Sequence, residues 1–165
     1  MNLFLWGALP YIAFTFLIVG TLVRFFYFER NWTTKSSEFL EKKQLRIANP
    51  LFHFGLLCVI GGHVVGVLVP KAWTAAIGIN DHMYHEGALY MGAVAGIIFI
   101  VGFLLLMKRR FTVPAMKVNT SGLDKWLYLF LTLAIFSGMA GTLLNASGFF
   151  DYRVSIGPWF RSLLS

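Results

Sequence analysis

The sequence predicts an all-α bundle that crosses a membrane about four times, and three observations predict it. Of the 165 residues, 58% are hydrophobic and only 13% charged, with a mean hydropathy of +0.70; a soluble domain carries about 25% charged residues. The apolar residues gather into long blocks of the length a helix needs to cross the hydrocarbon layer. Aromatic residues make up 17% of the chain, and many sit near block ends, where Trp and Tyr settle at headgroup level.

The net charge of +7 and the pI of about 9.8 come from short segments beside those blocks. They speak for membrane topology and against a nucleic-acid partner. Cys58 is the single cysteine, so no internal disulfide can form, and its apolar setting predicts a small buried thiol.

The chain reads as one membrane domain over 1–165. The first span covers about 3–28. It follows a neutral start, exceeds the length of a signal-peptide core and lacks a small-residue cleavage site, so it reads as a retained anchor. Pro10 lies in its first turns, where a missing N–H costs little. From Glu29 to Ala48 come Arg30, Lys35, Lys42, Lys43 and Arg46 against Glu29, Glu38 and Glu41, a solvated loop with a short helix around 37–45.

Asn49-Pro50 reads as a cap followed by a first-turn proline, opening a second span over 50–69 that Pro70 ends. A short loop then carries Lys71, Trp73, Asp81, His82, His85 and Glu86. The third span covers 87–107 and stops at Lys108-Arg109-Arg110. A polar segment with Pro114, Lys117 and Asn119-Thr120-Ser121-Gly122 leads to the fourth span at 124–145. The tail, 146–165, is aromatic and mildly amphipathic, and Gly148, Asp151, Arg153, Gly157, Pro158 and Arg161 interrupt it too often for a fifth crossing.

Most basic residues, from Arg30 through Lys125, fall on one side of this plan, and the other side holds Lys71, Arg153 and Arg161. The positive-inside rule puts the basic loops in the cytoplasm and both ends of the chain outside.

Two histidines inside the second span are the main anomaly, because ionisable groups in a span are costly and face a cavity, a partner or a cofactor. His53 and His63 are ten residues apart, which is about 15 Å along a helix and within about 80° around it. That spacing suits two haems stacked across a membrane, since imidazole is a good axial ligand to haem iron. Gly55, Gly61, Gly62 and Gly66 would let a flat macrocycle approach the helix backbone. The competing reading is that the histidines hydrogen-bond between helices and the glycines pack helices together. Spacing alone leaves both open.

His82 and His85, with Asp81 and Glu86 beside them, read either as polar residues of a wet loop or as groups that handle protons at the surface. An i, i+3 histidine pair is too few ligands for a metal site by itself. Gly92 with Gly96, Gly62 with Gly66, and Gly138 with Gly141 predict close helix packing. Phe25-Phe26-Tyr27-Phe28 predicts lipid or interface contact.

Taken together, Pro10-Tyr11-Ile12, Trp32, Ser36-Ser37, Asn49-Pro-Leu-Phe-His53-Phe-Gly55, Gly62-His63-Val-Val-Gly66 and Leu104-Leu-Leu-Met-Lys108-Arg109-Arg110 resemble the cytochrome b (gamma) subunit of respiratory nitrate reductase over nearly the whole chain. Asp81-His82-Met83-Tyr84-His85 looks like the versions from Gram-positive bacteria. The resemblance implies a multi-pass subunit of a bacterial cell membrane. Such a subunit anchors the alpha (molybdenum) and beta (iron–sulfur) subunits and does not itself reduce nitrate. It oxidises quinol at the outer side and passes electrons inward through two b haems. His53 would ligate the haem nearer the cytoplasm and His63 the outer one. His85 and Glu86 would take the quinol protons, and Arg109 and Arg110 would serve the partner or anionic lipid.

In that family a fifth crossing supplies the second axial ligand of each haem. The four histidines of this sequence supply only one apiece, so the sequence reads as a piece of a longer subunit. Two rivals remain at this point. One is a related cytochrome b subunit serving another cytoplasmic reductase, such as those of sulfite or heterodisulfide chemistry; the other is a non-redox membrane anchor.

Overall fold

The computed structural model describes residues 3–27, 40–149 and 151–164, and every regular element among them is helical. Four of these helices are long and apolar enough to cross a membrane, as the sequence predicts. Trp32, Ser36, Ser37 and the charges from Glu29 to Glu38 lie outside the described residues, as does the first part of the short helix expected around 37–45.

The N-terminal unit is α1 (Leu9–Tyr27), entered through a π-helical turn at Phe4–Ala8. The Leu9 N–H reaches back to the Phe4 carbonyl, one residue further than in an α-helix. Pro10 follows at once and has no N–H to donate, so the widened turn sits where the ladder is already broken. None of the α1 side chains is buried within this unit.

The second unit, residues 37–165, holds α2 (Lys43–Leu68), α3 (Lys71–Ala76), α4 (Asp81–Thr112), α5 (Pro114–Val118), α6 (Gly122–Ala146) and α7 (Tyr152–Ser162). The α2 helix begins at Lys43, not at Pro50. The Glu41 carboxylate accepts from the Gln44 N–H at 2.8 Å and so starts the helix a turn or more ahead of the Asn49-Pro50 signal. Pro50 then sits inside the helix, where it removes one backbone bond. Its end is as expected, with Val69 extended and Pro70 next.

The α4 helix begins at Asp81 and runs to Thr112, longer at both ends than the apolar block. Asn80 caps it through Oδ1, accepting from the Met83 N–H at 2.8 Å, and Asp81 in the first turn suits the positive end of the helix dipole. His82, His85 and Glu86 are therefore helical rather than in a loop. Hydropathy marks where lipid begins, and a well-capped helix continues into water. Ser121 and Asp124 form a reciprocal capping box at the start of α6, close to the expected boundary.

Two glycines set the packing of α2 against α4. A Cβ on Gly55 would lie 2.5 Å from the Phe99 backbone nitrogen, and one on Gly102 would overlap Phe52 N and sit 2.6 Å from its Cα. The helices thus touch backbone to backbone at two points, and the Phe52 ring packs, tilted, against Phe99 and Phe103 with ring centroids 5.2 and 6.4 Å away. The pairs expected to pack closely do not carry this contact. A Cβ on Gly62, Gly92, Gly138 or Gly141 would meet nothing within 4 Å. A four-residue spacing shows which helix face is smooth, not which helix meets it. Cys58 is exposed on α2, contrary to the buried thiol expected, because an apolar span has a bundle side and an outer side that composition does not distinguish.

Candidate functional site

The buried residues of α2 are Ala48, Gly55 and Gly66. Separations of 7 and 11 residues place them in one stripe to within about 20°. His63 lies about 60° from Gly66 and His53 about 140°, so both imidazoles flank the packed seam on its same side. Both residues are exposed on this unit.

Each ring is tied to its own helix. His53 Nδ1–H donates to the Asn49 carbonyl at 2.9 Å, and His63 Nδ1–H donates to the Val59 carbonyl at 2.7 Å. A carbonyl only accepts, so both rings carry their proton on Nδ1 and keep the lone pair on Nε2. That is the arrangement of an axial ligand, whose second nitrogen is held by a backbone acceptor. Neither of these bonds crosses to a neighbouring helix, which is what the competing reading of the histidines required.

The glycines divide by surroundings. Gly61 and Gly62 are open at the Cβ position, Gly55 is filled by the Phe99 backbone, and a Cβ on Gly66 would lie 3.1 Å from the Tyr152 ring. Gly55 therefore packs helices. The donor set fits a haem on the flank that carries the two imidazoles; Gly61 and Gly62, although open, lie on the other side of the packed seam.

One end of the second unit carries a closed set of charges. Arg109, 3% exposed, donates through Nε to Glu41 at 2.8 Å and through Nη2 to the Glu41 carbonyl at 2.6 Å. Arg110 Nη2 meets Asp124 at 2.7 Å. The Gln44 amide, with Arg109 beside it, holds the Glu41 carboxyl below the usual carboxylate range. These two arginines fasten α4 to the segment that starts α2 and to α6.

At the other end of the unit, His82 Nε2 lies 3.7 Å from Glu86 Oε1 one turn on, so Glu86 pairs with His82 rather than with His85. Among the described residues no group of three or more His, Cys, Asp or Glu could hold a metal ion.

The tail at this end forms the 11-residue α7, which is not among the four helices long and apolar enough to cross a membrane, and it packs on α2. Arg153, 7% exposed, donates through Nη1 to Asp81 at 3.4 Å and through Nη2 to Thr74 Oγ1 at 3.1 Å. Its guanidinium lies 3.6 Å from the Tyr84 ring centroid. Arg161 donates to the Val67 carbonyl at 2.8 Å. Sequence reasoning counted both arginines only as charges; the one available signal was the i, i+8 placement of two arginines on an otherwise aromatic segment.

Burial and the Tyr84 phenol push Tyr152 up to about 12 from 10.0. The fold favours the neutral phenol, so this stability is fully present below pH 10.0 and is lost as pH rises through about 12. A spectrophotometric tyrosine titration should show a late-titrating phenol that Tyr152→Phe removes; a variant with an unchanged titration curve would contradict the burial.

The family model for "Nitrate reductase gamma subunit" matches residues 2–165. The nitrate reductase gamma chain of Bacillus subtilis is 45% identical over 161 residues, covering 97% of this chain and 72% of that one. The nitrate reductase-like protein NarX of Mycobacterium tuberculosis is 40% identical over 161 residues, 96% of this chain but 25% of its own length. The respiratory nitrate reductase 1 gamma chain of Escherichia coli is 31% identical over 143 residues, 87% of this chain and 62% of that one. With a match along almost every residue, histidine-bearing second span included, the chain belongs to the nitrate reductase gamma subunit family.

Proposed function

We propose that this membrane subunit of nitrate reductase is a dihaem b-type cytochrome that oxidises quinol at the outer face and passes electrons to the cytoplasmic catalytic subunits. A single observation carries the reading. Two imidazoles on one flank of a membrane-spanning helix are both held by Nδ1 to a carbonyl one turn back, which leaves both Nε2 atoms as ligands.

His53 lies toward the end marked by Arg109 and Glu41, and His63 toward the end marked by Asp81 and Arg153. With the basic end in the cytoplasm, His53 serves the inner haem b and His63 the outer one, with Gly62 and Gly66 beside the outer ligand. The bound haems supply one-electron carriers spaced across the bilayer. His53 and His63 would each hold one iron, and the Bacillus subtilis and Escherichia coli gamma chains have more residues than this chain aligns with.

At the outer end, His85 and Glu86 stand on the first turns of α4, where the quinol protons leave toward the outer solvent. An imidazole and a carboxylate are groups that can take up and release such protons. Partners are then the alpha (molybdenum) and beta (iron–sulfur) subunits, membrane quinol and lipid. The gamma-subunit match over 2–165 favours nitrate reductase over the sulfite and heterodisulfide systems, and the self-tied imidazoles favour a cytochrome over a passive anchor.

The test is optical. Adding a reduced quinol analogue to anaerobic membranes that carry the assembled complex should raise b-type absorption bands, and nitrate should then bleach them. Bands absent, or bands indifferent to quinol, would refute the proposal.

A further inference from the structure

The outer end of α2 is covered, and the cover hangs on one buried cation. His63 and Gly66 are i, i+3 neighbours, about 4.5 Å apart along the helix axis and on one face. The Tyr152 ring lies against Gly66, so α7 borders the surface on which the His63 imidazole stands. Three contacts keep it there: Tyr152 on Gly66, Arg161 on the Val67 carbonyl, and Arg153 on α3 and α4.

Among these, Arg153 makes the most connections. Its side chain is 6% exposed, and its fork spans Thr74 and Asp81 while its face stacks on Tyr84. Asp151 holds its backbone N–H at 2.8 Å, and Lys71 shares Asp81 at 3.2 Å. A planar guanidinium can fork to two acceptors and stack on a ring at once, whereas an ammonium cannot.

We propose that Arg153 is a positioning residue that latches α7 over the outer end of α2 and thereby sets the surroundings of the iron that His63 ligates. The second half rests on the haem reading given above; the latch itself does not. Opening the cover admits water and moves a cation away. Solvent exposure and lost positive charge both favour the oxidised iron, so the potential of the outer haem falls.

The test uses the assembled complex and two readouts. Hydrogen exchange of the α7 amides, followed by mass spectrometry, reports the latch, and redox titration of the b-type signals reports the iron. Arg153→Met should speed α7 exchange by about tenfold or more, the loss of a buried charged hydrogen-bond set. Arg153→Lys should rescue that only in part. The potential of the His63-dependent signal should drop in Arg153→Met while that of the His53-dependent signal stays.

Should Arg153→Met fail to assemble, Thr74→Ala and Tyr84→Leu each remove one arm of the latch, and each should give a smaller rise in exchange. Unchanged exchange in these variants overturns the latch. Faster exchange with both potentials unmoved, or moved equally, overturns its link to the outer iron. A wild-type complex with no b-type signal refutes the haem reading and that link, while the exchange data still decide the latch.

Discussion

Replacing His53 or His63 with alanine in the assembled complex should each abolish one of two b-type signals and lower quinol-dependent nitrate reduction by about a hundredfold or more. Loss of a partner that only orients a metal ligand costs about 10–100-fold, and loss of the ligand itself costs at least the upper end of that range. The inner and outer signals should be lost separately. About 15 Å of helix separates the two rings, and their backbone acceptors, Asn49 and Val59, are separate as well. Nitrate reduction driven by an artificial donor that reaches the cytoplasmic subunits directly should persist. Loss of that activity as well would mean that the substitutions disrupt assembly, not electron transfer.

Gly102→Ala should have the largest effect on stability. The new methyl group would overlap the backbone of Phe52, and a backbone in the middle of a helix has no rotamer to yield. Overpacking of this kind costs about 1–3 kcal/mol, here with α2 and α4 forced apart at their closest point. Gly92→Ala is the control on the same helix. Its Cβ meets nothing, and alanine gains roughly 0.8–1 kcal/mol of helix propensity over glycine. Unfolding midpoints in detergent should therefore fall for the first substitution and hold or rise for the second. Equal midpoints would mean that the α2–α4 contact is looser than the structure has it.

Much of the fold was legible because lipid imposes a coarse rule. A stretch long and apolar enough to cross must become a helix, and its middle can be read from hydropathy. The ends were less legible. The α4 helix overruns its apolar block at both ends because Asn80 caps it in water and nothing stops it before Thr112. The α2 helix starts early because Glu41 supplies an acceptor that outranks the Asn49-Pro50 signal.

Contacts between helices were the least legible. The spacing of small residues pointed to Gly62 with Gly66, Gly92 with Gly96 and Gly138 with Gly141, whereas the backbone contacts fall at Gly55 and Gly102. Which glycine meets which backbone depends on the crossing point of two helices, a quantity no local pattern contains. The same holds for the charges. Arg109, Arg110 and Arg153 looked like surface groups in sequence; Arg110 instead pairs with Asp124 at the start of the next long helix, and Arg109 and Arg153 bridge residues far apart in the chain.

The candidate site divides along the same line. His53 and His63 stood out as ionisable groups in an apolar span, and the structure adds the Nδ1 bonds that fit them for ligation. Arg153, Thr74, Tyr84 and Tyr152 had no such signature, because they assemble only when the tail folds back on α2.

The most direct test is to count protohaem per gamma subunit in the purified complex by the pyridine haemochrome method, for the wild type and for the two histidine variants. The imidazoles of α2 as haem ligands predict two haems in the wild type and one in each variant. A wild-type count of zero, or two haems retained after either histidine is replaced, would contradict the account.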